Sequence, residues 1–595
     1  MNQIVQKNLL NSLINSTQQN LSATASAFDL ARSAGLTFET EGNFESRTQL
    51  TGTNQDDTVI IGGNLIGGSN KATSIALQDG NDTVTVGGDV IAHDMQSISI
   101  TGGTGSKTIH VHGGMDLDHS QVDVIIGDAN NISYSNELTI DDEIKANHAR
   151  TNLLLTGEDN TITINNGIHI DDNTEFEISS ASKMGLIDIK GDISIDLSTL
   201  LISSYAVDRS DRSAYTEVNI DGNISVSADG DIDISLYTNN SSIVCKDLTA
   251  TDGSDISFAT YHRYSSSINE FFIEGNVTIT DYSSFEIFSN ARVDVEVSGS
   301  MTVQDGSVID INVNGGDVTF LGGILNTDSY VGFASDTNSE TNLYIEGDVT
   351  AEYDISSKYN AAINSFLFEG GNVVFTLMGD LTATGNSWNE ILTSSGNDLI
   401  SITGDISVAN GGTNIIDTNY GDDIISLNGH IDAGALEIDA GGGNDTLVLS
   451  AVTQRTFEAN YKEWLTDLSS NGSLSQCGIE TIKLDVRGLH IEKLGWFTDI
   501  VNKANADGAH IAVEDKAGHQ LINPSAYLAQ DNDTHNPIND VLNHYAPSAA
   551  NAAQPKAFAE NVAAPSADAF AAPHFDNNSF LHEMEQQAQV HAAAA

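Results

Sequence analysis

The sequence predicts an all-β chain wound as a parallel β-helix, or β-solenoid, with coils of about 25 residues. Three observations carry that reading. A phrase of Gly, then Asp or Asn, then a β-branched residue or Leu recurs at Gly63, Gly88, Gly191, Gly222, Gly275, Gly347, Gly379 and Gly404, with looser copies at Gly114, Gly167, Gly299 and Gly429. Counting intervals of 48 and 53 as double steps, these mark 14 units with a mean near 26 residues. The first proline is Pro524, as expected where nearly every backbone N–H donates to a sheet ladder. Between the phrases lie only short alternating runs such as Thr83 to Val86, Ile193 to Ile195, Val277 to Ile279 and Ile406 to Val408, too little chain for crossover helices. A string of β-sandwiches would show no fixed interval of this size.

Element by element, residues 1–45 are expected to form an N-terminal helical cap, because Val5, Leu9, Leu10, Leu13 and Ile14 fall on one helical stripe. Residues 46–450 form the solenoid. Residues 451–522 read as a small α/β C-terminal cap: Phe457, Tyr461, Trp464, Leu465 and Leu468 have helical spacing, Gly478 to Val486 is strand-like, and a second helical piece lies near Trp496 to Val501. Caps are expected because both ends of a solenoid are open sheet edges. Residues 523–595 are rich in Ala and Pro and read as a flexible tail.

Composition excludes several functions. Acidic residues outnumber basic ones 83 to 23, for a formal charge of −60, so nucleic acid is not an expected partner. No run approaches the 18 or so apolar residues of a membrane span, and the N-terminus lacks the apolar core of a conventional secretion signal. Cys245 and Cys477 stand in segments of different character and are read as unpaired thiols. No nucleophile-elbow, phosphate-loop or HExxH motif occurs.

A second phrase lies near both ends of the repeat region: TNQDDTVI ending at Ile60, DGNDTVTV from Asp79, SGNDLISI from Ser395, YGDDIISL from Tyr420 and GGGNDTLVL from Gly441. Its last aspartates, Asp57, Asp82, Asp398, Asp423 and Asp445, are spaced by 25 in the first pair and by 25 and 22 in the last three, which stacks them in two short columns. These phrases resemble the RTX, or hemolysin-type, calcium-binding nonapeptide GGxGxDxUx of bacterial type I secreted proteins. Gly443, Asp445 and Leu447 occupy the G, D and U positions, as do Gly421, Asp423 and Ile425, Gly396, Asp398 and Ile400, and Gly80, Asp82 and Val84. Gln55 replaces the glycine in the Asp57 copy. The chain departs from the family in carrying one such turn per coil and in losing most leading glycines.

The resemblance implies calcium (Ca2+) held by Asp57, Asp82, Asp398, Asp423 and Asp445 together with Asn81, Asn397, Asn444, Gly80, Gly396, Gly421 and Gly443. The chemistry is consistent with it, since calcium takes six to eight oxygens and a tight Gly-Asn-Asp turn offers carbonyls and a carboxylate. The competing reading is that Gly-Asn-Asp is a good turn whose stacked Asn and Asp side chains form hydrogen-bonded ladders. That reading is favoured for the Gly-Asp phrases along the rod, and calcium for Asp398, Asp423 and Asp445.

The resemblance also implies export by type I secretion machinery to the outside or surface of a Gram-negative-type bacterium, with a signal in the tail from about Ala546 to Ala595; a plain linker is the alternative for that tail. The expected function is a secreted calcium-binding solenoid with a structural or adhesive role and a possible glycan or host or cell-surface ligand. The alternative is a secreted polysaccharide lyase or hydrolase. Ten of the 15 tyrosines lie between Tyr205 and Tyr359, beside Asp208, Arg209, Asp211, Arg212, His262 and Arg263, where longer coils could carry a site. His110 and His112 share a strand face and could ligate a transition metal, but no third ligand is evident in sequence and surface histidines are the favoured reading.

Overall fold

A computed structural model describes residues 35–45, 49–68, 72–128, 133–207, 213–261, 269–335, 340–353 and 361–524. The chain winds as a parallel β-solenoid of about 15 turns. Each turn lays one strand on each of three sheets, of 20, 15 and 16 strands. One winding runs from Thr58–Ile61 through Leu65–Ile66 and Thr73–Ala76, then returns at Asp82–Val86 to pair in parallel with its own start. At ~4.8 Å per coil, the rod is roughly 70 Å long.

The interior follows from alternation. Asp82–Val86 and Val293–Val297 both bury every second residue. Parallel in-register pairing then stacks like upon like: Val59, Val84, Ile109, Leu138 and Ile162 occupy one inward position on successive coils. The same position continues through Ile400, Ile425 and Leu447, and all of these side chains are buried. Each contributes about 1.5–3 kcal/mol on full burial, so a regular interior adds stability coil by coil.

The recurring Gly-Asp and Gly-Asn phrases are the corner between the first and second sheets. The side chain at the second residue accepts the N–H of its equivalent on the next coil: Asp89 N–H donates to Asn64 Oδ1 at 3.0 Å, Asn223 N–H to Asp192 Oδ1 at 2.8 Å, and Asp405 N–H to Asp380 Oδ1 at 2.7 Å. This is the ladder alternative raised for those phrases. Glycine is needed there because the coils come close; a Cβ at Gly404 would lie 2.0 Å from the Gly379 carbonyl oxygen.

One boundary differs from expectation. The stripe at Val5 to Ile14 and residues 525–595 lie outside the described residues, but Thr37–Thr40 and Phe44–Glu45 are already strands on the first and second sheets. The helical segment therefore does not extend to residue 45. The cause is local, since Thr37–Thr40 alternates and buries Phe38 against the first coil. After Ala451 comes a helix, α1, Gln454–Asn471, started by the Thr453 side chain accepting from Thr456 N–H and ended at Gly472 with φ 86°. α1 buries Phe457, Tyr461, Trp464, Leu465 and Leu468. Tyr461 Oη donates to the Leu427 carbonyl at 2.9 Å and Trp464 Nε1 to the Leu436 carbonyl at 2.9 Å, which ties the helix to the last coils. Ile479–Val486 continues the first sheet, α2 spans Gly495–Ala506, and Ala512–Asp515 adds a further parallel strand. Among the described residues no helix is long and apolar enough to cross a membrane.

Candidate functional site

The five aspartates singled out in the sequence occupy one buried position at the start of the first-sheet strand: Asp82 and Asp445 open their strands, and Asp57, Asp398 and Asp423 stand one residue before theirs. Asp57 and Asp82 lie at one end of that column and Asp398, Asp423 and Asp445 at the other, all of them buried. Between them the position is filled by Lys107, Asn136 and Asn160 near the first end. The carboxylates thus point into the rod from the edge of each turn.

At the C-terminal end the aspartates form a ladder. Val373 N–H donates to Asp398 Oδ1, Asp398 N–H to Asp423 Oδ1, and Asp423 N–H to Asp445 Oδ1, each at 2.8 Å. Asp445 N–H donates to Glu480 Oε2 at 2.8 Å. One oxygen of each aspartate is consumed in this way. The other, Oδ2 of Asp398, Asp423 and Asp445, is buried and has no hydrogen-bond partner. The neighbouring Thr393 and Thr418 hydroxyls, directed at the Thr418 and Ala440 carbonyls at 3.2 and 3.3 Å, also lie beside Asp398 and Asp423 and favour their charged forms, but burial outweighs them. Burial accordingly pushes all three carboxyls above the ordinary aspartate value, Asp445 to about 6. Removing one partner from a buried charge costs several kcal/mol, so three stacked oxygens of this kind call for a counter-charge.

The glycines of the phrase border the ladder oxygens: a Cβ at Gly396 would lie 3.1 Å from Asp398 Oδ1 and one at Gly421 2.7 Å from Asp423 Oδ1. A Cβ at Gly421 would lie 1.6 Å from the Gly396 carbonyl oxygen, and one at Gly443 1.5 Å from that of Gly421. Each carbonyl is therefore aimed at the glycine of the next coil, and Gly396 and Gly421 hold positive φ of 138° and 152° to do so. Carboxylate and carbonyl oxygens are the donor types that suit a hard cation such as calcium.

The N-terminal end carries the same phrase with a different outcome. Asp57 accepts from Thr53 N–H at 2.6 Å, from the Thr53 hydroxyl at 2.8 Å and from Leu36 N–H, so both of its oxygens are occupied. Asp82 Oδ1 accepts from Asp57 N–H at 2.8 Å, and its Oδ2 faces Lys107 Nζ at 3.3 Å. Lys107 is wholly buried. Its ammonium donates to the carbonyls of Gly80 at 2.7 Å, Thr104 at 2.8 Å and Gly105 at 3.0 Å. Burial pushes Lys107 down and Asp82 up to about 6, while their mutual attraction favours the charged pair. The expectation of an ion at Asp57 and Asp82 thus meets a site in which protein donors already surround the carboxylates.

The asparagines sit differently from the aspartates. Asn81, Asn397 and Asn444 face outward in a second ladder: Asn81 N–H donates to Asp56 Oδ1 at 2.9 Å, Asp422 N–H to Asn397 Oδ1 at 3.0 Å, and Asn444 N–H to Asp422 Oδ1 at 2.9 Å. Their side chains link coils at the surface and are separated by the backbone from the buried oxygens.

In the central region, Asp208, Arg209, Asp211, Arg212, His262 and Arg263 lie outside the described residues. The aromatic signal there resolves into a stack on the third sheet, Tyr205, Tyr237, Tyr261 and Phe288, with centroid separations of 5.0, 4.8 and 5.4 Å. On the same sheet Glu286 and Asp310 are register partners on adjacent coils. Burial, reinforced by Asp310, pushes Glu286 up to about 7, and burial pushes Asp310 up to about 6. Sequence reasoning missed this pair, whose only signal is a shared offset in neighbouring coils. It also missed a buried amide ladder in which Asn326, Asn364 and Asn389 each donate to the next Oδ1, ending at Asn414, at 2.9, 2.7 and 2.8 Å. Cys245 and Cys477 are both buried free thiols. The chain matches no known family, no curated protein and no solved structure.

Proposed function

We propose that the chain is a secreted calcium-binding β-solenoid with a structural or adhesive role outside the cell, exported by a type I route as its RTX-like phrases imply. The observation that carries this reading is the set of three buried, unpartnered oxygens, Asp398 Oδ2, Asp423 Oδ2 and Asp445 Oδ2. The ion would supply the positive charge this column lacks. Asp398, Asp423 and Asp445 would hold it through Oδ2, and Asp57 and Asp82 would not take part. A chain that crosses a membrane unfolded gains from carboxylates that disfavour compaction where calcium is scarce. At extracellular dissociation constants of roughly 0.1–1 mM, millimolar calcium contributes about 0.5–1.5 kcal/mol per site. Thermal unfolding followed by circular dichroism, with EDTA and then with millimolar calcium, tests the reading. A rise in melting temperature with calcium supports it, and coincident curves count against it.

A second reading, a polysaccharide lyase or hydrolase, rests on Glu286 and Asp310. Two carboxylates on adjacent coils with raised affinity for protons can share one and act as acid and base, and the tyrosine stack beside them suits sugar rings. Degradation of an acidic or neutral polysaccharide by the purified protein, abolished in Glu286→Gln with the fold intact, would establish this reading. Its absence across a polysaccharide panel leaves the structural role.

A further inference from the structure

His110 and His112 lie two residues apart on the outward face of the first sheet, and the winding brings a third group to them. Asp141, on the next coil, places Oδ2 2.8 Å from His110 Nε2 and 3.0 Å from His112 Nδ1. The three ligand atoms all lie within 4.8 Å of one another. The imidazoles are tilted by 53° with centroids 4.0 Å apart, and each presents a ring nitrogen to the same Asp141 oxygen.

The supports are rigid. His112 N–H donates to the Val86 carbonyl at 2.8 Å and Asp141 N–H to the Val111 carbonyl at 2.9 Å, so ladder bonds fix the backbone beneath both groups. The other oxygen of Asp141, Oδ1, accepts from Asn165 Nδ2 at 3.0 Å, one coil further on. That bond turns Oδ2 toward the histidines, as outer partners do for ligating carboxylates.

We infer that His110, His112 and Asp141 form a binding site for a divalent first-row transition-metal ion of the zinc class. Two imidazole nitrogens and one carboxylate oxygen are borderline donors that suit such ions and not calcium. At bond lengths of about 2.0–2.2 Å, tetrahedral ligands stand about 3.3 Å apart, so binding requires the carboxylate to withdraw by a few tenths of an ångström. The ion takes a ring-nitrogen lone pair from each histidine, and any proton held between those nitrogens and Asp141 is released to solvent. His110 and Asp141 are half-buried and His112 is exposed, which leaves the remaining coordination position open to water or to a donor from another molecule. The strongly negative chain raises the local cation concentration.

Zinc titration of the full chain by calorimetry in millimolar calcium, with cobalt absorption as a second readout, tests the site. We expect one saturable zinc event and cobalt bands in the visible. His110→Ala and His112→Ala should each weaken zinc by at least about tenfold and remove the bands, and Asn165→Ala should weaken it about 10-fold or more. His169→Ala, which alters a histidine paired with Asp171 at 3.0 Å, should change nothing. Because the altered side chains are solvent-facing, circular dichroism should stay the same. Absence of zinc binding, or zinc binding of unchanged strength in the His110→Ala/His112→Ala double variant, overturns the inference.

Discussion

The two acidic ends of the interior column begin from nearly the same phrase and reach opposite electrostatic arrangements. At the N-terminal end, Asp82 is followed one coil later by Lys107, whose ammonium occupies a nest of three carbonyls beside the carboxylate. At the C-terminal end, Asp398 is followed by Asp423 and Asp445, and among the described residues none of the three Oδ2 atoms has a cationic partner. The lesson is that a buried ladder of carboxylates can be neutralised by a tethered cation, which is always present, or left to a dissolved one, which makes stability depend on conditions. The same backbone accommodates both.

The sharpest way to break this comparison is to remove the tethered cation. Lys107→Met leaves Asp82 buried without its counter-charge and should destabilise the protein by about 3–5 kcal/mol in denaturant unfolding. Adding Asp82→Asn should restore most of that loss. If Lys107→Met alone is neutral, Lys107 does not act as the internal cation.

The next test exchanges the dissolved ion for a neutral side chain. Asp423→Asn keeps an oxygen to accept Asp398 N–H but deletes the charge, so it should unfold at higher temperature than the parent in EDTA and lose about 0.5–1.5 kcal/mol of the stabilisation gained from calcium. Asp57→Asn should leave the calcium response intact. Equal calcium responses in all three proteins would contradict the assignment.

A pH series sharpens the same point. Burial raises Asp445 from 3.8 to about 6. The folded chain therefore holds this proton more firmly than the unfolded chain. The contribution is fully present below pH 3.8 and lost as pH rises through about 6. In EDTA, stability should fall across that window, and calcium should flatten the fall. Stability that rises with pH in EDTA would contradict the carboxylate account.

The smallest effects belong to the outer ladder. Asn81→Ala removes the Oδ1 that accepts Ser106 N–H at 3.0 Å and Asn397→Ala the Oδ1 that accepts Asp422 N–H at 3.0 Å, and each should cost about 0.5–1.5 kcal/mol, equally with and without calcium. A calcium-dependent cost at Asn397 would place that side chain in the ion's surroundings.

Much of the fold is legible in the sequence because a solenoid repeats its own rules. Alternation in runs such as Thr83 to Val86 gives the inward face, and the Gly-Asp phrase marks a corner whose close inter-coil approach admits little else. The aspartate columns are legible for the same reason, since a spacing of one coil is a spacing in space. Lys107 was missed because a single lysine in a strand reads as a surface residue; only the register with Asp82 shows that it points inward. Asp141 was missed because its coil is longer, so it stands 29 residues from His112 and off the common interval. The early strand at Thr37–Thr40 was hidden by the helical stripe that precedes it.

Backbone hydrogen exchange, compared with and without millimolar calcium, tests the central claim most directly because it reads the two ends of one molecule at once. The account predicts that amides of Asp398 and Asp423, which donate within the aspartate ladder, become markedly more protected with calcium while Asp57 and Asp82 do not change. Equal protection at both ends, or no change at Asp398 and Asp423, would contradict it.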